Sequence, residues 1–352
     1  MKTTLRAIGT ANPRRYGTQR EFYDWLVKHF AMTPDEQDLY RRVTVEGPIK
    51  GRYFGIDYDE QGALHTPDAL IERFQKHGTR IAVEAARSAL DQAGLTVDDI
   101  GGLVVNTCTG YLCPGLTSYV SEQLGLAPWA KIVDLMGMGC GGAIPNLECA
   151  ANMLAGGLPK PVMSIAVEIC SATMYMGSEP DLIISNSIFG DGAAAAIVDA
   201  AERGNGQAVA KIIDFETTLY TRHREDLRYR TQNGMLRNVL SKRVPLIGSK
   251  VARETACRLL GRHGLDIRQI DFWAIHPGGT VVLEQIGEKM GLSQEQLRFS
   301  YGIFHDYGNM SSPSVLFVLQ KVLKEARPQP GQRGVMLGFG AGFSAFGALL
   351  EF

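Results

Sequence analysis

The feature that most restricts the fold of this sequence is an internal repeat. Residues 81–106 align without gaps to residues 251–276, so the same residue types return 170 positions later. Each copy has small and apolar residues at helical spacing, a glycine that ends the helix, a short loop and an apolar strand. The identical pairs are Ala82 and Ala252, Glu84 and Glu254, Ala86 and Ala256, Leu90 and Leu260, Gly94 and Gly264, Leu95 and Leu265, and Ile100 and Ile270. A generic helix–glycine–strand unit explains part of this similarity, but the simplest account is one chain built from two similar αβ halves.

The two halves are predicted to cover residues 1–200 and 201–352. Strand candidates of the first half lie at 160–169 and 190–200, and residues 334–352 supply two more to the second half. These segments are apolar or small at almost every position, which is typical of strands in sheets that are covered on both faces.

Two stretches do not follow this pattern. Residues 11–80 have few strand signals and are predicted to form an N-terminal helical elaboration. Residues 201–250 are polar and rich in charge, and they are predicted to form a surface excursion between the halves.

Composition excludes several functional classes. The chain has 36 Lys and Arg against 37 Asp and Glu, and this balance leaves no basic footprint for nucleic acid or an acidic membrane. The longest uncharged apolar run, Val335 to Leu350, is 16 residues long and interrupted by glycines, so membrane insertion is not expected. Without an apolar signal segment at the start, the six cysteines are expected to be reduced and the protein cytoplasmic. Their spacing fits no zinc template, and no metal is expected.

Cys140 is the first candidate for chemistry. It follows an apolar strand candidate and precedes a helix, with glycines on both sides in the sequence GMGCGGA. Free N–H groups and the dipole at a helix N-terminus favour a thiolate, and glycines allow close approach of a thioester. A buried structural cysteine beside a glycine-rich turn is the alternative.

His276 and Asn309 complete a possible set. His276 ends the strand of the second repeat copy, where Pro277 and two glycines stop the chain. Asn309 stands at the entry of an apolar helix, the position in the second half that Cys140 holds in the first. Taken singly, the histidine has an alternative interpretation as an ordinary residue at a strand end, and the asparagine as a helix N-cap. The duplicated topology, however, brings all three positions to the same end of the sheets.

Five motifs together resemble the type III polyketide synthases, the chalcone and stilbene synthase family, in their bacterial form. They are GCGGA at Cys140, IHPGG at His276, GNMSS at Asn309, FGDGAAA from Phe189 and the terminal GFGAG. The resemblance implies an α/β thiolase fold, five-layered αβαβα with two pseudo-symmetric halves, assembled as a homodimer.

The resemblance also implies an acyltransferase that performs iterative decarboxylative Claisen condensation on coenzyme A thioesters. Cys140 would hold the acyl-CoA starter, with His276 stabilising its thiolate as an ion pair. His276 and Asn309 would stabilise the enolate formed from malonyl-CoA. The expected product is a pyrone, resorcinol or related polyketide, and no cofactor is implied.

Further positions match substrate-binding residues of the family. Phe189 matches a gatekeeping phenylalanine between the coenzyme A tunnel and the acyl cavity, and Lys50 and Arg52 match a basic motif near the coenzyme A phosphates. The remaining matches lie around the cavity. Thr173 and Ser311 match residues that line it. Asn238, Cys108 and Cys113 occupy positions around it at which the plant enzymes have other residues.

Two other functions remain open from the sequence. One is a single-condensation ketoacyl synthase of the type that initiates fatty-acid synthesis, which shares the fold and a Cys-His-Asn set. The other is a thiolase-fold acyltransferase, or an inactive subunit, that does not condense. The IHPGG and GNMSS motifs favour the polyketide synthase.

Overall fold

The structure, a computed structural model, describes residues 3–56, 66–201 and 208–352. Its main strands form one mixed sheet, and two short two-stranded antiparallel sheets lie outside it. The strands are β1 Thr3–Ala11, β2 Arg15–Thr18, β3 Gly51–Phe54, β4 Gly102–Thr107, β5 Lys131–Met136, β6 Val162–Glu168, β7 Gly192–Ala200, β8 Ala210–Leu219, β9 Leu227–Gln232, β10 Met235–Leu240, β11 Phe272–Ile275, β12 Arg333–Gly340 and β13 Ser344–Glu351.

Helices lie between the strands, and several begin at capping boxes, such as those of Thr18, Thr33 and Ser293. The α-helices are α1 Gln19–His29, α2 Pro34–Thr44, α3 Pro67–Ala93, α4 Leu116–Leu124, α5 Ala143–Ala155, α6 Pro180–Ile188, α7 Val244–Gly261, α8 Thr280–Met290, α9 Gln294–Tyr307 and α10 Ser314–Lys321. A π-helical turn, Val322–Ala326, continues α10, and 3-10 helices form at Val97–Asp99, Gly139–Gly141, Cys170–Thr173, Thr221–His223 and Ile267–Gln269.

The sheet has nine strands in the order β11-β12-β13-β8-β1-β7-β6-β4-β5. From β1 outwards, β7 and β6 pair antiparallel, and β4 then pairs parallel with β6. From β8 outwards, β13 and β12 pair antiparallel, and β11 then pairs parallel with β12. The four strands β1, β7, β6 and β4 therefore have the same topology as β8, β13, β12 and β11, and β5 extends the first set alone by pairing parallel with β4. The two sets join where β1 pairs with β8 over three residues, from Thr3 opposite Ile212 to Leu5 opposite Ala210.

The core is arranged in layers on both faces of these strand sets. Helix α3 covers β1, β7 and β6 on one outer side, and α7 covers β13, β8 and β12 on the other. Helices α5 and α10 lie between the two sets and contact strands of both. In β7, Ala194, Ala196 and Val198 join the central cluster, whereas Ala193 and its alternate neighbours join the cluster under α3. The α/β thiolase fold with two pseudo-symmetric halves is confirmed.

The repeat found in the sequence has a direct structural counterpart. The 3-10 helices Val97–Asp99 and Ile267–Gln269 lie 170 residues apart, and the strands that follow are β4 and β11. Gly94 and Gly264 both adopt left-handed backbone, with φ of +63° and +64°. The predicted strands at 160–169, 190–200 and 334–352 are confirmed as β6, β7, β12 and β13.

The prediction for residues 201–250 is wrong in part. Residues 202–207 lie outside the described part of the chain, but β8 is a strand inside the sheet, paired with β1 and β13. Its residues alternate between buried and exposed positions, which makes its average composition polar and hides the strand. Only the β9–β10 hairpin and the short 3-10 helix before it depart from the sheet. In 11–80, helices predominate as predicted. The antiparallel pair of β2 and β3 is an addition to that prediction, and 57–65 lie outside the described residues.

Candidate active site

Cys140 lies in a tight turn between β5 and α5. The 3-10 helix Gly139–Gly141 forms this turn, and Gly139 has φ of +59°, a left-handed conformation that favours glycine. The β12–β13 hairpin of the second half packs directly against the turn. A Cβ atom on Gly340 would lie only 2.4 Å from the carbonyl oxygen of Met138. Glycines from both halves therefore shape the turn that carries the thiol.

His276 follows directly after β11. Its N–H donates to the Leu337 carbonyl oxygen at 2.8 Å, and its carbonyl oxygen accepts from the Gly278 N–H at 3.0 Å. The side chain is buried and meets Phe339 edge-on, with the ring centroids 5.2 Å apart. Nδ1 has no hydrogen-bond partner among the described residues, which is unusual for a buried polar atom. The strand end and Phe339 fix the position of the imidazole.

The main chain of Asn309 is tied to the segment that carries Phe189. The Asn309 N–H donates to the Ile188 carbonyl oxygen at 2.8 Å, and its carbonyl oxygen accepts from the Gly190 N–H at 2.9 Å. These bonds make an isolated parallel bridge between Phe189 and Asn309. The position of Asn309 therefore depends on the loop after α6 in the first half.

The side chain of Asn309 is also held at both ends of its amide. Its Nδ2 donates to the Gly278 carbonyl oxygen at 3.2 Å, and its Oδ1 accepts from the Ser311 N–H at 2.8 Å. Gly278 belongs to the turn after His276, so the amide and the imidazole are positioned by the same loop.

One cavity of about 790 Å³ brings these residues together. Cys140, His276, Asn309 and Phe189 all line it. A thiol, an imidazole and an amide at one cavity wall are suited to acyl transfer, because a nucleophile then lies beside N–H donors for a developing oxyanion.

Sequence comparisons identify the family. The C-terminal domain of chalcone and stilbene synthases matches residues 226–351, and the FAE1/type III polyketide synthase-like protein family matches residues 61–232. The 1,3,6,8-tetrahydroxynaphthalene synthase of Streptomyces peucetius subsp. caesius is 30% identical over 99% of this chain and 93% of its own length. The chain belongs to the type III polyketide synthases.

Other type III polyketide synthases, and proteins similar to them, match over the same length. The alpha-pyrone synthesis polyketide synthase-like Pks18 of Mycobacterium tuberculosis is 28% identical over 99% of this chain and 90% of its own. PKS-I of the brown alga Ectocarpus siliculosus superimposes with a TM-score of 0.90, at 28% identity over 99% of this chain and 98% of that one. The predicted enzyme class, an acyltransferase of the type III polyketide synthase kind, is confirmed.

Burial acts on the thiol and the imidazole in the direction opposite to the ion pair expected from the sequence. Burial raises the pKa of Cys140 to about 12, although Ser311 Oγ donates a hydrogen bond to its sulfur at 3.3 Å. Burial also lowers the pKa of His276 to about 3. The helix N-terminus was expected to favour a thiolate, but loss of water around the sulfur outweighs it. Burial therefore favours the uncharged forms of both groups, the thiol and the neutral imidazole.

A buried carboxylate behind the thiol was missed by the sequence analysis. Glu168, at the end of β6, accepts hydrogen bonds from Ser312 Oγ at 2.6 Å and Thr109 Oγ1 at 2.9 Å. Cys108 donates to it from both its main-chain N–H and its sulfur, at 2.9 and 3.3 Å. The Ser311 hydroxyl lies 3.4 Å from the Cys108 sulfur and connects this network to Cys140. A lone acidic residue ending an apolar strand was the available signal.

Phe189 lines a second, small cavity as well as the large one. The small cavity has a volume of about 20 Å³, room for one water molecule. Thr173 and Asn238 line the small cavity, and their side chains bond to Tyr229 Oη and Ser185 Oγ respectively, each at 3.2 Å.

The two basic residues expected at the coenzyme A phosphates differ in exposure. Arg52 is buried, with its guanidinium carbon 4.4 Å from the ring centre of Phe22 and 5.0 Å from that of Phe54, so it does not face solvent. Lys50 is exposed. The charged residues that line the large cavity near its mouth are instead Arg42 and Lys242, with Asp181.

The last of the predicted positions, Cys113, is exposed and lines neither of these two cavities. Within the described ranges, no cluster of His, Cys, Asp and Glu is arranged to hold a metal ion. The same ranges contain no helix with the length and apolarity needed to cross a bilayer.

Proposed function

We propose that Cys140, His276 and Asn309 are the catalytic residues of an iterative decarboxylative Claisen condensation. The observation that carries this proposal is their convergence on one cavity from three separate strand or helix ends. Family membership supports the reaction class, and the geometry supports these residues as those that perform it.

The first step loads the starter. As the Cys140 sulfur attacks the acyl-CoA thioester carbon, His276 takes the thiol proton, which suits a pair that is neutral at rest. A new C–S bond to Cys140 forms, and the C–S bond to coenzyme A breaks. Coenzyme A then leaves as a thiol after taking the proton back from His276.

The second step extends the chain. The bond between the malonyl carboxylate and its methylene carbon breaks, carbon dioxide leaves, and the electron pair remains as an enolate. N–H groups of His276 and Asn309 stabilise the enolate oxygen. The carbanion forms a C–C bond to the acyl carbon, and the bond to the Cys140 sulfur breaks. Its electron pair leaves a thiolate on Cys140, which takes up a proton from solvent and becomes a thiol again. The product is a β-ketoacyl-CoA two carbons longer, which reloads Cys140 for the next round.

Arg42 and Lys242 are the proposed contacts for the coenzyme A phosphates. Both line the outer part of the large cavity, and Arg42 Nε lies 3.0 Å from the Asp38 carboxylate on the same helix. A lysine serves phosphate as a point charge and an arginine as a planar donor, so the pair suits a diphosphate at the cavity mouth.

The wall of the large cavity favours an apolar acyl starter, and the proposed product is a pyrone, resorcinol or related polyketide. One relative is named for alpha-pyrone synthesis and another as a tetrahydroxynaphthalene synthase. Aliphatic side chains dominate the wall, among them Val43, Ile49, Ile184, Ile188, Leu227 and Leu240.

A homodimer is the proposed assembly. Strand β5 lies at the edge of the sheet with Ile132 and Met136 exposed by 53% and 39%. An apolar sheet edge of this kind is usually covered.

The cytoplasm is the proposed compartment. All six cysteines are free, which suits a reducing compartment.

Release of labelled carbon dioxide tests the reaction. The purified protein is incubated with malonyl-CoA labelled in its free carboxylate and with hexanoyl- or lauroyl-CoA as starter. We expect starter-dependent release of carbon dioxide and a product lengthened by two-carbon units. Absence of release with every starter would contradict the condensation.

Intact-protein mass spectrometry tests the nucleophile. Cys140→Ala is expected to abolish acylation of the protein by the starter, because no other thiol lines the large cavity. Cys257→Ala removes an exposed thiol on α7 and serves as the control that retains acylation. Persistent acylation of Cys140→Ala at Cys108 or Cys113 would overturn the assignment.

A further inference from the structure

Arg52 is a buried cation, and the attraction of the Asp191 carboxyl only partly offsets the effect of burial on its pKa. Its side chain is among the largest that are fully buried, and its Nε donates to Gln19 Oε1 at 2.8 Å. The guanidinium carbon lies 4.4 Å from the ring centre of Phe22 and 5.0 Å from that of Phe54. No carboxylate in the described ranges lies within salt-bridge distance of it, and burial lowers its pKa to about 9. Burying a charge in this way opposes folding, so some other interaction must account for it.

The guanidinium holds the end of α6. Its Nη1 donates to the carbonyl oxygen of Asn186 at 2.9 Å and to that of Phe189. Carbonyl groups in the last turn of a helix have no partner within the helix, and a cation near them is favourable. Arg52 therefore caps α6 and fixes the main chain at Phe189.

The same side chain contacts the segment that carries Asn309. A Cβ atom on Gly308 would lie 2.9 Å from Arg52 Cδ, and one on Gly190 would lie 3.4 Å from Arg52 Cβ. Gly190 donates its N–H in the bridge described above, and Gly308 directly precedes Asn309. Arg52 therefore packs against both of the segments that form the bridge. Cys140 lies on a different element, and none of the hydrogen bonds of Arg52 reaches it.

We propose that Arg52 is a positioning residue that holds the Phe189–Asn309 bridge, and with it the Asn309 amide, in register with the thioester site. This inference rests on the proposed function for the role of Asn309. It predicts a separation of the two steps. Without Arg52 the amide that stabilises the enolate is displaced, whereas starter loading at Cys140 and His276 continues.

The test measures the two steps separately in Arg52→Met and Arg52→Lys. Starter loading is followed by the mass of the acylated protein after single turnover, and decarboxylation by carbon dioxide released per acylated enzyme. For Arg52→Met we expect loading within about twofold of wild type and carbon dioxide release lowered about tenfold or more, as for other small displacements of catalytic groups. For Arg52→Lys we expect a fall of about threefold, because an ammonium keeps the charge but cannot reproduce the planar fork.

Arg6→Met is the matched control. Arg6 forms a partly buried ion pair with Asp199 at 3.3 Å on β1, away from the cavity, so its loss lowers stability without touching the bridge. It is expected to lower the melting temperature and leave the ratio of loading to decarboxylation unchanged. Equal falls of both steps in Arg52→Met, or no fall in either, would overturn the inference.

Arg52→Lys keeps the inference testable if Arg52→Met does not fold. Decarboxylation lowered with normal loading supports it, and wild-type rates of both steps contradict it. A failure of the proposed function has a different signature: the wild-type protein would then not acylate at Cys140, or would release no carbon dioxide.

Discussion

The two halves share a topology but carry different residues at equivalent positions. His276 follows β11 at the place where Asn106 lies in β4, 170 residues earlier. The imidazole lines the large cavity, whereas Asn106 is buried in the framework. Its Nδ2 donates to Ser312 Oγ at 2.9 Å, and its Oδ1 accepts from Asn146 Nδ2 at 2.8 Å. At this position the second half carries His276, whose side chain lines the cavity. The first half carries Asn106, whose side chain holds neighbouring elements together by hydrogen bonds.

The turns before α5 and α10 differ in a similar way. The first half places the Cys140 thiol there, and the second places the Asn309 amide. In the proposed mechanism the nucleophile thus comes from one half and the N–H donors come from the other. The comparison shows how a duplicated fold builds one asymmetric site: equivalent backbone positions converge, and the side chains divide the work.

Exchanging residues between the copies tests this division most strongly. His276→Asn gives the second half the residue of the first. We expect carbon dioxide release to fall about a thousandfold, because the amide cannot act as a general base and its N–H groups do not occupy the position of the imidazole N–H. The measurement is release from labelled malonyl-CoA, with the melting temperature recorded alongside.

Asn106→Ala is the companion variant for this comparison. It leaves buried polar partners unpaired, so we expect the free energy of unfolding to fall by about 1–3 kcal/mol. Carbon dioxide release is expected to stay on the wild-type scale. Similar losses of activity in both variants would mean that the two positions do not differ in role.

The next largest effect is the pH dependence of Cys140 alkylation, because burial favours the neutral forms of Cys140 and His276. Because burial raises the pKa of Cys140 to about 12, the thiolate is a minor species at neutral pH and grows as pH rises. Alkylation of Cys140 by iodoacetamide is therefore expected to accelerate about tenfold per pH unit between pH 7 and 9. Peptide mass spectrometry measures the site-specific rate. A rate already constant below pH 7 would instead indicate a thiolate–imidazolium pair between the halves.

The smallest effect concerns a feature that the halves share. Gly94 and Gly264 have φ of +63° and +64°, and a Cβ atom at either would meet nothing within 4 Å. Gly94→Ala and Gly264→Ala are each expected to cost about 1 kcal/mol, because only the left-handed backbone opposes the change. Denaturant unfolding measures both. A difference well above that cost between the two would break the equivalence of the repeats.

Much of the fold was predictable because its signals are local. The repeat contains helix spacing, a terminating glycine and a following strand within about 26 residues, and strands such as β6 and β7 are buried on both faces and read as apolar runs. Strand β8 was missed because alternate residues face solvent, and its place in the sheet comes from partners far away in the chain.

The candidate site, like the fold, was predictable where its signals are local. Cys140, His276 and Asn309 stand at strand or helix ends that the sequence marks with glycine, so their shared cavity could be foreseen. Arg52 could not be placed, because its burial depends on Phe22, Phe54 and Gln19, which nothing in its own segment indicates. Desolvation of the thiol was hidden for the same reason: it depends on distant segments that close around Cys140.

The contact between the Cys140 turn and Gly340 has a consequence for how the protein is made. Gly340 lies 200 residues after Cys140, yet its backbone packs against that turn. At about 5–20 residues per second, a ribosome needs about 10–40 seconds to synthesise the intervening chain. Ser311, whose hydroxyl donates to the Cys140 sulfur, is also made late in synthesis. The environment that sets the pKa of Cys140 is therefore complete only after most of the second half has been made.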